Sequence, residues 1–353
     1  MKKIYKILKI LLLGIVVLIS KNVNAQTYFS LEEALKNPQN VEILNLSEQN
    51  LDSLPVVFSL FQNLKTLNLE NNNLRTLPLE IFYLPNIQSI IAHHNKIDTL
   101  YKLSENSKAL IVLDLSNNNL EYFPDSYCNF QSLQTLNLSA NRLQELPPNI
   151  VHLQALKELN ISRNPLRELP PETMFLAKLE TINMYLCYQA NFEDVIEIIS
   201  KLPEMKELNL SSNELAHLPV CISTMPKLET LILNSNPFLN LEQLIDYLEN
   251  ITTLKKLEYF GNNLTEIPPS IKKLQSLNYL NFMSNFLETV PPEIFDLKNL
   301  KELNLSSNNI SSLPLEAMKN SNLETIYLYQ TKLDANFIIE IKKTFPRMKI
   351  FVN

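Results

Sequence analysis

The stretch "LQTLNLSANRLQELPPNIVHLQA", from Leu133 to Ala155, decides the fold of this chain. Counted from its first residue, apolar side chains fall at offsets 0, 3, 5, 10 and 13, with Asn at offset 8 and Pro at offset 14. The same pattern begins at thirteen positions: Val41, Leu64, Ile87, Leu110, Leu133, Leu156, Leu179, Met205, Leu228, Leu254, Leu277, Leu300 and Leu323. The intervals are 23 residues, except for two of 26 residues after Leu179 and Leu228. Such spacing predicts a stack of similar structural units.

Each unit contains the signature of one short strand. Offsets 3 and 5 are apolar and alternate with polar residues, which is the pattern of a strand with one buried face. Identical strands from successive units would pair in parallel about 4.8 Å apart, giving a sheet roughly 60 Å long. The Pro at offset 14 indicates an extended connection on the outer side of the stack.

The residue at offset 8 lies where the chain turns inward. A buried turn leaves backbone groups without partners, and an Asn amide can both donate to them and accept from them. We therefore predict a structural ladder and no catalytic role for its members. The ladder positions are Gln49, Asn72, Asn95, Asn118, Asn141, Asn164, Cys187, Asn213, Asn236, Asn262, Asn285, Asn308 and Thr331.

From Val41 to Asn353 the sequence resembles the leucine-rich repeat family, whose pattern is L-x-x-L-x-L-x-x-N/C-x-L. The Leu-Pro pairs, as in Leu77-Pro78, are similar to the typical 23-residue subclass, which includes bacterial secreted proteins. The resemblance implies an α/β solenoid of about 13 repeats. It would be a horseshoe with a parallel concave β-sheet and with extended or 3-10 segments on the convex side. The family permits Cys at the ladder position, which suits Cys187.

The segment "MYLCYQANFEDVIEIISKLPEMKEL", from Met184 to Leu208, is longer than its neighbours. Apolar residues three and four apart, as at Phe192, Val195 and Ile199, predict an amphipathic helix rather than an inserted catalytic element. Similar stripes after Asn240 and after Gln330 predict α-helices in units 7, 9 and 13.

Both ends of the stack need caps. Ser30-Leu31-Glu32-Glu33 has the pattern of a capping box, so residues 26–40 are predicted to form an N-terminal cap helix. "RMKIFVN" at the other end is predicted to add a last strand, so the repeat domain would extend over residues 41–353.

Residues 1–25 are predicted to be a signal peptide. Four lysines precede an apolar run from Ile10 to Ile19, and Val23-Asn24-Ala25 suits signal peptidase. The run is shorter than the roughly 20 residues of a membrane span. Cleavage near Ala25 would place the mature protein in the periplasm, on the cell surface or in the medium.

The composition excludes several kinds of function. Removing the five lysines of residues 1–25 leaves 26 basic against 37 acidic residues, a net charge of about −11, which disfavours nucleic acid as a partner. Two glycines cannot build a phosphate-binding loop, and three cysteines form no disulfide framework. His93-His94 is interpreted as a surface pair and not as a metal site. We therefore expect no cofactor, no metal and no enzymatic activity.

Offsets 2, 4 and 6 should face outward from the concave sheet, where Thr or Glu, Asn and Ser are the usual residues. Departures from those residues, and one position on an adjoining turn, are candidates for a ligand surface: Tyr185, Ile232, Asn234, Phe260, Tyr279, Met283, Phe286, Tyr327 and Tyr329. Phe260 and Met283 share one offset in neighbouring units and should touch. The patch in units 9–11 has the composition of an interface hot spot, but neutral drift in a long solenoid would also explain it.

The sequence thus favours an exported, monomeric repeat protein that binds an unknown protein ligand on its concave face. The alternative is a carbohydrate or cell-wall binder, in which a sugar would stack on Tyr279 and accept hydrogen bonds from Asn281.

Overall fold

The computed structural model describes residues 27–104 and 106–352. The predicted signal peptide and its cleavage site near Ala25 therefore lie outside the described residues. Within them, no helix combines the length and the apolar character that crossing a membrane requires.

The described residues form one open sheet of fifteen strands, each hydrogen-bonded to its neighbours in sequence order. All pairs are parallel and keep one register, as in Thr135 opposite Glu158. The strands are β1 Thr27–Tyr28, β2 Ile43–Asn45, β3 Thr66–Asn68, β4 Ser89–Ile91, β5 Val112–Asp114, β6 Thr135–Asn137, β7 Glu158–Asn160, β8 Thr181–Asn183, β9 Glu207–Asn209, β10 Thr230–Ile232, β11 Lys256–Glu258, β12 Tyr279–Asn281, β13 Glu302–Asn304, β14 Thr325–Tyr327 and β15 Lys349–Phe351. The thirteen predicted units supply β2 to β14, so the predicted horseshoe is confirmed. The structure adds β1, which the sequence analysis missed.

Most units cross the convex side as a short 3-10 helix, and six of these follow a proline at the last position before the helix. Proline fixes the backbone angle that starts such a turn and gives up an N–H that would have no partner there. The 3-10 helices span Pro38–Asn40, Phe58–Leu60, Asp125–Asn129, Pro148–His152, Pro171–Phe175, Val220–Thr224, Pro269–Lys273 and Pro292–Asp296.

Six α-helices complete the described structure: α1 Leu31–Lys36, α2 Glu80–Tyr83, α3 Phe192–Ser200, α4 Leu241–Leu248, α5 Leu315–Met318 and α6 Ala335–Thr344. The helices predicted in units 7, 9 and 13 are confirmed as α3, α4 and α6. Asn191, Asn240 and Asp334 cap them by accepting backbone N–H groups in the first turn. The four-residue helices α2 and α5 were not predicted, because one α-turn and one 3-10 turn differ by a single hydrogen-bond shift.

The core lies between the sheet and the outer segments. In the unit that begins at Leu133, the side chains at offsets 0, 3, 5 and 10 have no exposed surface and Leu146 has 2%. Each unit alone has only one layer of such residues, so its apolar surface is buried only by the units before and after it.

The ladder asparagines connect each turn to the unit before it. Nδ2 of Asn141 donates to the carbonyl oxygen of Leu115 in the preceding unit at 2.9 Å and to that of Leu138 at 3.0 Å. Its Oδ1 accepts the N–H of Leu120 at 2.9 Å. Since the side chain is 7% exposed, water cannot replace these bonds.

Three ladder positions carry a residue other than Asn, and each of these residues makes a different contact. The Cys187 Sγ lies 3.4 Å from the Ile161 carbonyl oxygen, so the thiol keeps the contact to the preceding unit. Burial raises the pKa of Cys187 to about 11, which leaves it as an unreactive thiol at neutral pH. Thr331 donates to the Leu328 carbonyl oxygen at 3.0 Å. Gln49 instead is exposed and donates to the Phe29 carbonyl oxygen, because its unit has the cap and not another repeat before it.

Replacing Asn141 by Ala should lower the free energy of unfolding by about 3 kcal/mol, because the buried Leu120 N–H loses its partner and the carbonyls of Leu115 and Leu138 each lose one of their two donors. Urea unfolding followed by circular dichroism measures the change. Asn278→Ala is the matched control, since this exposed Asn has no side-chain hydrogen bond within the described residues. Equal stability of the two variants would contradict the structural role of the ladder.

Replacing Cys187 by Asn should raise the free energy of unfolding by about 1 kcal/mol. By analogy with Asn141, the new Oδ1 would accept the N–H of Leu166, which the thiol cannot do, and Nδ2 would donate to the Ile161 carbonyl. The same urea titration measures the gain, with Cys187→Ala as the comparison that removes both contacts. A loss of stability in Cys187→Asn would show that the longer unit 7 has reshaped this turn.

Candidate functional site on the concave face

The register of the sheet arranges the concave side chains in columns. The column at offset 4 includes Ile232, Glu258, Asn281, Asn304, Tyr327 and Phe351, which are paired strand by strand. The column at offset 2 runs beside it, and residues at offset 6 follow the strand ends. Positions in one column of adjacent strands lie about 5 Å apart, so neighbouring side chains interact directly.

Unit 7 places one candidate on this face beside a cation. The guanidinium carbon of Arg163 lies 5.3 Å from the centre of the Tyr185 ring, a cation–π arrangement. Tyr185 is half-buried and is not part of the groove described below.

The candidates of units 9–11 differ in how exposed their side chains are. The side-chain oxygen of Asn234 already has a hydrogen-bond partner within the protein, because its Oδ1 accepts the Phe260 N–H at 2.8 Å. Ile232 and Phe260 are half-buried, whereas Phe286 is 54% exposed on the adjoining turn.

Tyr279 belongs to a polar network that the protein satisfies by itself. The Lys256 Nζ lies 4.9 Å from the Tyr279 ring centre and 2.9 Å from a carboxylate oxygen of Glu258. Asn281 donates to the other carboxylate oxygen of Glu258 at 2.7 Å. Burial is the main reason why the pKa of Tyr279 is raised. Because Tyr279 and Asn281 are both engaged, they are poor candidates for the sugar contacts considered from the sequence.

The structure brings three other candidates together in units 11–13. Met283, Tyr327 and Tyr329 line an open groove of about 460 Å³, which we call the C-terminal groove. Its remaining lining residues are Asn304, Ser306, Ser307 and Gln330. The lining therefore combines aromatic, thioether, amide and hydroxyl groups and contains no acidic or basic side chain.

Phe351 extends the aromatic surface beside this groove, and the sequence analysis did not single it out. Its ring stacks on Tyr327 with centres 4.9 Å apart and an angle of 8°, and it lies 6.3 Å from the ring of Tyr329. Burial is the first cause of the raised pKa of Tyr327, with Glu302 and Tyr329 adding to it. Matching Lys349-Ile350-Phe351 to Thr325-Ile326-Tyr327 would have placed Phe351 in the offset-4 column.

A second departure at the other end of the sheet was also missed. Ile91 and Val112 are almost fully buried on the concave side, next to a His93 whose Nε2 is 3.6 Å from a Glu70 oxygen. Burial and the neighbouring His93 lower the pKa of His94. Within the described residues, no group of three or more His, Cys, Asp or Glu side chains could hold a metal ion.

The C-terminal groove can bind by stacking and hydrogen bonding. Tyr329, 41% exposed, offers a ring face and a hydroxyl, while Asn304 and Gln330 carry amides that can donate and accept. The Ser307 Oγ donates to the Gln330 Oε1 at 2.7 Å, which holds that amide in place.

Comparisons with known proteins agree with this architecture. A model of the leucine-rich repeat region matches residues 86–234, and two further leucine-rich repeat models match residues 275–333 and 63–84. Curated proteins provide no match.

Solved structures of similar fold include a leucine-rich repeat protein of Leptospira interrogans, with 24% identity, a TM-score of 0.61, and coverage of 92% of this chain and 99% of that one. An internalin of Listeria monocytogenes has 20% identity, a TM-score of 0.68, and coverage of 90% and 88%. The TLR13 receptor, solved with a single-stranded RNA, has 20% identity and a TM-score of 0.61, and the match covers 87% of this chain but 52% of the receptor.

The three family models together match more than half of the chain, and they fall on the units that build the sheet. The chain belongs to the leucine-rich repeat family.

Proposed function

We propose that this protein is an exported, non-enzymatic binding protein that holds a protein ligand on its concave face. The observation that carries the proposal is the C-terminal groove beside the stacked rings of Tyr327 and Phe351. The leucine-rich repeat fold is typical of protein–protein interaction, and the groove places Tyr327 and Tyr329 side by side on the concave face of this copy of the fold.

The composition of the groove suits a protein contact. Tyr is among the residues most enriched at energetic centres of interfaces, and Met is a flexible apolar contact. Since these side chains stand on paired strands, binding would cost little ordering of the backbone. An uncharged lining favours an uncharged, partly apolar segment of the ligand, because a charged group would lose hydration there without a partner.

Nucleic acid remains disfavoured as the ligand. The chain carries 37 acidic against 31 basic residues, and the groove offers no cation to neutralise a phosphate. The single-stranded RNA belongs to the TLR13 complex and is not evidence about the ligand of this chain.

A carbohydrate is the second candidate ligand, and its proposed site is the C-terminal groove instead of Tyr279 and Asn281 in unit 11. Tyr329 could stack on a sugar ring while Asn304 and Gln330 share hydrogen bonds with its hydroxyl groups. A glycan array probed with the purified protein separates the two ligands. Binding to a defined glycan that competes with protein capture would favour the carbohydrate.

Export with cleavage is expected to yield a protein that begins at Gln26. It would consist of the cap, residues 26–40, and the repeat domain, residues 41–353. Intact mass spectrometry of the protein recovered outside the cytoplasm tests this. Ala25→Arg should block processing, because signal peptidase needs a small residue before the cut, while Gln26→Glu is the matched control. Recovery of the full-length mass outside the cytoplasm would contradict cleavage.

Tyr329→Ser combined with Met283→Ser should weaken capture of the ligand from the native host by at least about tenfold, since buried interface aromatics often contribute 2 kcal/mol or more. Quantitative pull-down and titration of the captured protein measure the loss. Tyr122→Ser, which alters an exposed Tyr at a turn of unit 4, is the matched control.

Phe260→Ala with Phe286→Ala tests the patch predicted in units 9–11 against the groove. Loss of binding in this variant alone would move the site to that patch. Undiminished binding by both sets of variants would contradict a concave site in units 9–13.

A further inference from the structure

The two ends of the solenoid present surfaces that no repeat covers in the described residues. β15 pairs with β14 alone, and β1 pairs with β2 alone. An unpaired strand edge can accept a further strand, and terminal units therefore usually carry a polar outer face. Neither end of this structure is uniformly polar.

At the C-terminal end, α6 exposes positions that α3 buries. The two helices align at their capping residues, Asn191 and Asp334, which places Ile339 where α3 has Ile196. Ile196 has no exposed surface and lies in a helix that the 3-10 segment of the next unit contacts. Ile339 is 65% exposed because the described residues contain no next unit. Ile339 is thus an exposed apolar side chain at a position that α3 buries.

The charges on this end are positive. Residues 332–352 contain Asp334 and Glu340 against five cationic residues, which are Lys332, Lys342, Lys343, Arg347 and Lys349. All five cationic side chains are exposed, and the salt bridges found among the described residues include none of them.

The N-terminal end has the opposite charge and its own exposed apolar side chains. Residues 27–60 contain Lys36 against five acidic residues, which are Glu32, Glu33, Glu42, Glu48 and Asp52. Glu42 pairs with Lys65, whereas the other four carboxylates are exposed and have no ion pair within the described residues. Phe29 and Leu35 are exposed beside the acidic first turn of α1.

We propose that the C-terminal end of one copy of this chain docks on the N-terminal end of a second copy. Opposite charges and open apolar faces favour this contact, whereas two N-terminal ends or two C-terminal ends would repel each other. Such a head-to-tail contact is heterologous, so it propagates into short linear chains as concentration rises. It differs from the monomer expected from the sequence.

Sedimentation velocity of the purified, exported protein at rising concentrations tests this proposal. The wild type should form dimers and longer chains, and salt should weaken them. Lys342→Glu with Lys343→Glu should weaken association by about tenfold, and so should Glu32→Lys with Glu33→Lys. An equimolar mixture of these two variants should restore association, with the two variants alternating along each chain. In that mixture the unchanged basic end of the second variant meets the unchanged acidic end of the first, and the two reversed ends also carry opposite charges.

Two matched controls accompany these variants. Lys102→Glu with Lys178→Glu changes the net charge equally at exposed positions away from the ends and should leave association unchanged. Ile339→Ser should weaken association, whereas Val220→Ser, at 64% exposure on the convex side, should not.

Several results would overturn the proposal. These are a wild type that stays monomeric up to about 1 mM, a charge control as damaging as the end variants, and a mixture that forms no more dimer than either variant alone. Binding of the wild type to vesicles containing phosphatidylserine without self-association would assign the basic end to a membrane surface instead.

Discussion

The structure depends on the hydrogen bonds that one side chain makes at every inward turn. The residue before the ladder position has a left-handed backbone, with φ of 52° at Ala140 and 57° at Leu186. That conformation costs on the order of 1 kcal/mol for a residue with a Cβ. It persists because the following side chain bonds the buried backbone of its own unit and of the unit before it. The ladder therefore fixes both the shape of each turn and the distance to its neighbour.

A fixed distance between units turns sequence offsets into columns on the concave sheet. Residues in a column can change without disturbing the core, because the core is made by offsets 3 and 5. The surface is consequently free to evolve, and a departure from the usual residue has little meaning by itself. The contacts of each side chain show which departures are available to a ligand. Tyr279 lies against Lys256, which also pairs with Glu258, whereas Tyr329 is exposed beside the stacked rings of Tyr327 and Phe351.

The fold was predictable because its determinants are local and repeated. Spacing alone identified the thirteen units, and apolar stripes behind a capping residue identified α3, α4 and α6. The candidate site was predictable only in part, since an offset tells which way a side chain points but not what it touches. Phe351 was missed because the last strand comes at the edge of the pattern and has no ladder residue after it. Gln49 was assigned to the ladder by its offset, yet its unit follows a cap and its side chain bonds Phe29.

Contacts between adjacent units also explain why the ends of the stack differ from its middle. Inside the stack, several charged residues at the position before a strand pair with the residue at the same position of the next unit, as Glu180 does with Lys206 at 2.8 Å and Lys301 with Glu324 at 2.7 Å. Each unit thus neutralises charge as well as covers apolar surface for the next one. At the ends this reciprocity stops, which leaves Ile339 and its cationic neighbours on one side and the carboxylates around α1 on the other. In the proposed head-to-tail contact, a second copy of the chain would supply both kinds of contact at once.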